Sequence, residues 1–78
     1  MTEKSSRQIV DEILKSVREE AVGLDATKTL KEQGFDSLDM YSVLLGIEER
    51  FHVKVRDEDA VKLSTIQNIL DYVAAKQA

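Results

Sequence analysis

The stretch Gly34-Phe35-Asp36-Ser37-Leu38-Asp39 brings one hydroxyl and two carboxylates together at spacings that suit the start of a helix. Asp36 is placed to accept hydrogen bonds from the orphan backbone N–H groups of the next turn, and Asp39 falls at the third helical position, where an acid is favoured. Ser37 then becomes the first helical residue, with its hydroxyl on the exposed rim of that turn. An anion attached there would lie near the positive end of the helix dipole and close to unpaired N–H groups. That is good chemistry for a phosphate ester. Catalysis is a poor fit, because it needs a nucleophile–base pair or a metal cluster. The chain holds one histidine, His52, and no cysteine, so Ser37 has no evident base and thiolate metal sites and disulfides are excluded.

The elements that must present Ser37 read as helices. Residues 5–20 form a first one: Ser5 and Gln8 have capping-box spacing, Ile9, Ile13, Leu14 and Val17 make an apolar stripe, and Gly23 is the expected stop. Residues 22–36 form a long connection, with a turn at Asp25, Ala26, Thr27 and Lys28, and with Leu24 and Leu30 as plugs into the core. Residues 52–56 alternate polar and apolar, but a lone strand has nothing to pair with. They read as a loop with Val53 and Val55 tucked inward and His52 facing solvent. A short helix over residues 57–62, capped by Asp57, offers Ala60, Val61 and Leu63 as apolar contacts. A last helix starts at Ser64, in capping-box spacing with Gln67, and turns Ile66, Ile69, Leu70 and Val73 inward, fraying after Ala75. The expected fold is an all-α four-helix bundle, three longer helices and one short, with a long loop between helices 1 and 2.

The second helix, residues 37–51, is apolar on two sides. At about 100° per residue, Met40, Val43, Ile47 and Phe51 share a core face with Leu44 at its edge. Leu38, Tyr41 and Leu45 share the opposite face, among Ser42, Glu48 and Glu49. That second stripe reads as a small exposed strip rimmed by acids, suited to docking partners; packing by further neighbours is the plainer alternative. Gly46 costs up to about 1 kcal/mol relative to Ala unless close packing or room for a ligand requires it.

Seventy-eight residues make a single domain over 1–78, with an expected stability of only about 3–5 kcal/mol. The net charge of −4 argues against nucleic acid and against anionic membrane surfaces. Residues 36–78 hold eight acidic and five basic side chains, so a basic protein partner is the natural complement. Acid crowding at Asp57, Glu58 and Asp59, near Glu48 and Glu49, predicts a fold that tightens with salt or divalent cations. No stretch approaches a transmembrane span, and Met-Thr-Glu-Lys-Ser-Ser lacks the apolar centre of a signal peptide; a cytoplasmic monomer is expected.

These residues also carry a family resemblance. Leu30, Gly34, Phe35, Asp36, Ser37, Leu38 and Asp39 are followed in register by Glu48-Glu49-Arg50-Phe51, Asp57-Glu58-Asp59-Ala60, Ser64-Thr65-Ile66-Gln67 and Asp71-Tyr72-Val73. The pattern resembles the acyl carrier proteins, in which Asp-Ser-Leu opens a helix after a loop with a conspicuous glycine. A bare Asp-Ser-Leu is weak evidence; a likeness over essentially the whole chain is specific. The resemblance implies that a phosphopantetheinyl transferase uses coenzyme A to place a 4'-phosphopantetheine arm on Ser37. It also implies that Asp36, Leu38, Asp39, Tyr41, Leu45, Glu48 and Glu49 face acyl-loading, condensing and modifying enzymes with basic docking surfaces.

An acyl chain would then be sheltered by Met40, Leu44, Ile47, Leu63 and Ile66. Several residues depart from the usual fatty-acid carrier: Ser42, Arg50 and Val61 stand where acids are common, Arg56 where proline is frequent, and Tyr41 where a small aliphatic residue is expected. These changes point toward a dedicated polyketide, modified-lipid or other specialised pathway beside fatty acid synthesis. The peptidyl-carrier subtype fits worse, for want of a paired-glycine lead-in. The alternative from another class is an unmodified helical protein–protein interaction module.

Overall fold

The first regular element opens on a reciprocal box. The Gln8 N–H donates to Ser5 Oγ at 3.2 Å, and the Ser5 N–H donates to Gln8 Oε1 at 2.7 Å. The computed structural model describes residues 4–77. It contains α1 (Ser6–Val17), α2 (Ser37–Phe51), the short α3 (Asp57–Ala60) and α4 (Ile66–Gln77). The fold is all-α, as expected, with three longer helices, one short one and a long loop before α2. None of the described helices is long and apolar enough to cross a membrane. The N-terminal lead read above for the lack of a signal peptide lies partly in residues 1–3, outside the described residues.

Val10, Ile13 and Leu14 of α1, Val43, Ile47 and Phe51 of α2, and Ile66, Ile69 and Val73 of α4 meet in one core, closed by Leu30, Phe35 and Leu63. Ile9 and Val17 flank it, so the expected α1 stripe is present but centred on Val10, one position away from Ile9. Full burial of such a side chain contributes about 1.5–3 kcal/mol, set against the entropy of ordering it.

The α1–α2 seam is the tightest part of the molecule. A Cβ added to Gly46 would stand 2.7 Å from Ile13 Cγ2, so close approach of α1, and not room for a ligand, accounts for this glycine. Each end of α2 is tied to α1 by an arginine–carboxylate pair. Arg18 Nη1 lies 2.8 Å from Asp39 Oδ2 at the N-terminal end, and Arg50 Nη2 lies 2.8 Å from Glu12 Oε1 at the other.

The first of these pairs explains a difference from expectation: α1 ends at Val17, three residues short of Glu20. Arg18 leaves the helix in an extended conformation, its N–H still bonded to the Leu14 carbonyl at 2.9 Å, and its side chain turns to α2. Gly23 is left-handed but lies within the loop and does not stop the helix.

The loop orders itself through local side chains. Asp25 Oδ1 accepts from the Thr27 N–H and hydroxyl at 2.8 and 2.7 Å, making the expected turn. Gln33 accepts the Asp25 N–H at 2.7 Å and donates to its carbonyl at 2.9 Å. Leu30 is wholly buried and Leu24 half-buried, as plugs. The Leu30 N–H donates to the Ser64 carbonyl at 2.8 Å, and Thr29 and Thr65 form a bridge that joins the loop to the start of α4. Gly34, with φ +105°, then reverses the chain immediately before α2.

The second half departs from expectation at its caps. Asp57 is the first residue of α3, not its cap; Arg56 precedes it without a side-chain cap bond, and the three acids occupy the first turn, where the helix dipole favours them. Val61 lies in the following turn, 81% exposed, and makes no core contact of the kind expected. In α4, Thr65 replaces Ser64 as cap: its Oγ1 accepts the Asn68 N–H at 3.0 Å, while the Ala26 carbonyl takes the Gln67 N–H at 3.0 Å. The helix continues past Ala75 to Gln77. The segment 52–56 is a loop, with His52 exposed in the left-handed region and Val53 and Val55 half-buried.

Candidate functional site

Asp36 holds an extended conformation and caps α2. Its Oδ1 accepts the Asp39 N–H at 2.8 Å, and Asp39 Oδ2 accepts the Asp36 N–H at 3.1 Å. The same Oδ2 takes the Arg18 guanidinium. The Asp36 N–H, and after it Arg18, hold the Asp39 carboxyl below its ordinary range. Between these two acids lies Ser37, exposed, at the first helical position. Among the described residues neither its hydroxyl nor the N–H groups of Ser37 and Leu38 take a hydrogen-bond partner. The turn is therefore rigid, while its one nucleophilic oxygen is free.

Leu38, Tyr41 and Leu45 run down one side of α2 at 79, 63 and 43% exposure, an unpartnered apolar strip; Val61 is a further exposed apolar residue, after α3. The four acids expected at its rim divide into two kinds. Asp36 and Glu49 are exposed. Asp39 is half-buried and bound to Arg18, and Glu48 is half-buried with Oε2 accepting the Val55 N–H at 2.9 Å. Two thus face solvent and two secure neighbouring segments. Ser42 is exposed on the same helix. Arg50, which interrupts the acidic run, turns to Glu12 of α1, whose other oxygen is 2.6 Å from Lys4. Those two cations hold the Glu12 carboxyl low, Lys4 contributing first.

A groove of about 350 Å³ opens between α2, from Met40 onward, and the turn after α3. It is lined by Met40, Leu44, Ala60, Val61 and Leu63 with Thr29, Lys31 and Ser64 at its edges. A second, of about 380 Å³, lies between α2 and α3 and shares Leu44 and Ala60 with the first. Ile47 and Ile66, expected to line an apolar shelter, are instead wholly buried in the core and line neither groove.

From the sequence Arg18 has no assigned role, and Phe35 and Thr65 figure only within the family pattern, without the core and cap roles they take. The spacing of Phe35 before the cap and Met40 inside the helix is that of a hydrophobic staple, and marks Phe35 as an inward residue. No local pattern announces the Arg18–Asp39 pair, whose members are 21 positions apart.

Comparison with known proteins shows the family. The family model described as a phosphopantetheine attachment site matches residues 7–73. An acyl carrier protein of Buchnera aphidicola subsp. Schizaphis graminum (strain Sg) is 36% identical over 74 residues, covering 95% of this chain and 91% of that protein. The chain belongs to the acyl carrier proteins. As an acyl carrier protein it is a carrier and not an enzyme, and its prosthetic group is a covalently attached 4'-phosphopantetheine. It works with a transferase and with biosynthetic enzymes, and membership of the family sets aside the unmodified interaction module. The start of α2 fits such a group. It offers an exposed hydroxyl and two free N–H groups at the positive end of the helix dipole, and an apolar groove opens along the same helix from Met40.

Proposed function

We propose that Ser37 is the attachment residue and that the protein delivers acyl thioesters to the enzymes of a fatty acid, polyketide or related specialised pathway. One observation carries this reading: the only serine on the exposed rim of a capped helix start in the matched span has a free hydroxyl beside an apolar strip. When bound, the group supplies a thiol that holds the acyl chain as a thioester. The chain's own residues do the rest. Ser37 supplies the ester oxygen and gives up its proton to the transferase. The Ser37 and Leu38 N–H groups and the helix dipole favour the phosphate's charge. Asp36 and Glu49 attract a basic partner, and Leu38, Tyr41, Leu45 and Val61 supply apolar contact.

Incubation of the unmodified chain with coenzyme A and a promiscuous phosphopantetheinyl transferase is expected to add the mass of one phosphopantetheine. Ser37→Ala is expected to abolish the gain; modification of that variant would move the site elsewhere. The exposed Ser42, the turned-away Arg50 and the bulky Tyr41 give a partner face less acidic than that of a common fatty-acid carrier. This supports a dedicated pathway within the range named. The groove lined by Met40, Leu44 and Leu63 is the shelter for the chain's apolar end. An eight-carbon load is expected to shift NMR signals of those three residues, and unchanged signals would exclude sheltering there.

A further inference from the structure

Arg18 is the first residue outside α1, and its guanidinium joins two carboxylates. Its Nη1 is 2.8 Å from Asp39 Oδ2, and its Nη2 is 3.0 Å from Glu20 Oε1. Asp39 Oδ2 in turn holds the Asp36 N–H. A single oxygen therefore connects the end of α1 to the two residues that bracket Ser37. Arg50–Glu12 makes the corresponding tie at the far end of α2 but touches nothing near the hydroxyl.

Two consequences follow from charge and geometry. First, the turn bearing Ser37 is fixed relative to α1 as well as within its own helix. Second, Asp39 is neutralised. Without Arg18, two uncompensated carboxylates would stand on either side of the atom that receives a phosphate, a like-charge arrangement that opposes the product. We infer that Arg18 is a positioning residue for modification at position 37: it anchors the Ser37 turn to α1 and offsets the charge of Asp39, one of the two acids that bracket Ser37 in the chain. The inference rests on Ser37 being the attachment residue.

The two effects of removing Arg18 differ in sign at the two stages of the reaction, which separates them from simple loss of structure. A freed Asp39 makes the face more acidic and attracts a basic transferase more strongly, so KM is expected to fall or stay level. The loosened turn and the uncompensated charge act when the Ser37 oxygen bonds to phosphorus, its proton passing to the transferase, while the pyrophosphate bond of coenzyme A breaks and adenosine 3',5'-bisphosphate leaves; kcat is expected to fall by about tenfold, since small misplacements of a reacting group cost rates of this order or more.

The test measures kcat and KM for transfer from coenzyme A by a promiscuous transferase, using the full chain and its Arg18→Ala, Arg18→Lys, Lys15→Ala and Arg18→Ala/Asp39→Asn variants. Thermal unfolding of each variant is recorded alongside. Lys15→Ala removes a cation from the last turn of α1 that forms no ion pair among the described residues, and is expected to match the parent. Arg18→Lys is expected to recover most of kcat, and Asp39→Asn to recover part of it in the Arg18→Ala background by removing the freed charge. The proposal is overturned if Arg18→Ala leaves kcat unchanged, if KM rises together with a fall in kcat, or if Lys15→Ala behaves like Arg18→Ala. A variant too unstable to assay at 25 °C is cooled until folded, and the same split is read there. Failure of the underlying reading has a different signature: loading that survives Ser37→Ala in the parent chain.

Discussion

Gly46 and Ile13 show how much one side chain can decide in a molecule of this size. Alanine is the better helix former by about 1 kcal/mol, and on propensity alone Gly46→Ala should stabilise α2. The added carbon would meet Ile13 Cγ2 at 2.7 Å, and that methyl sits on a stiff β-branched carbon that cannot swing clear. Gly46→Ala is therefore expected to lower stability by a net of about 1 kcal/mol. In urea denaturation, Ile13→Ala together with Gly46→Ala should cost less than the two separate losses combined, because the first removes the clash. An increase in stability for Gly46→Ala alone would show the seam to be looser than described. The sequence raised this position as a question with two answers, and only the placement of α1 chose between them. Ser37, Asp36 and Asp39 stand differently: hydroxyl, cap and third-position acid are fixed by local backbone chemistry, so their arrangement was legible from six consecutive residues.

At the level of elements, α3 is the loosest. It has four residues, none buried, and no side-chain cap. It is tied to α4 by the Tyr72 hydroxyl, 3.1 Å from Asp59 Oδ2 and 3.3 Å from the Lys54 carbonyl. Burial, and after it Asp59, raises the Tyr72 phenol above its ordinary range, so it stays a donor through neutral and mildly alkaline pH. Tyr72→Phe is expected to cost about 1 kcal/mol or less overall while speeding amide exchange selectively over residues 54–62. Uniform acceleration across all four helices would instead mean that the hydroxyl supports the whole fold. The extent of α2 was readable because a strong cap and fifteen residues of consistent periodicity agree. The ends of α1 and α4 and the cap of α3 were not. Arg18 leaves its helix for a partner 21 residues away, and Ser64 yields to Thr65 because the Leu30 and Ala26 contacts from the loop set where the chain turns. Long-range contacts of this kind override local signals.

For the molecule as a whole, acid stability follows from three carboxylates held below their ordinary range. Asp39 is held by the Asp36 N–H and Arg18, Glu12 by Lys4 and Arg50, and Asp25 by the Thr27 hydroxyl and N–H. Each binds protons less readily folded than unfolded, so stability rises with pH through the window between the two states. It is expected to be fully present above about pH 5 and to decline as pH falls below about 4, through the depressed folded values. Urea midpoints measured down the acid limb check this, with Asp39→Asn giving a shallower decline; a midpoint indifferent to pH across that range would remove the account. Asp57, Glu58 and Asp59 share the first turn of α3. Among the described residues no three acids or histidines converge as metal ligands.

The seam between α1 and α2 has a last implication for cargo. It is tied by an ion pair at both ends and closely packed at its midpoint, so an acyl chain held in the groove proposed beside Leu44 would meet the stiffer wall on that side. The softer wall would be the opposite one, formed by the four-residue α3 and the turn after it. Loading and unloading would then be felt at α3, leaving the face that carries Ser37 unmoved from one passenger to the next.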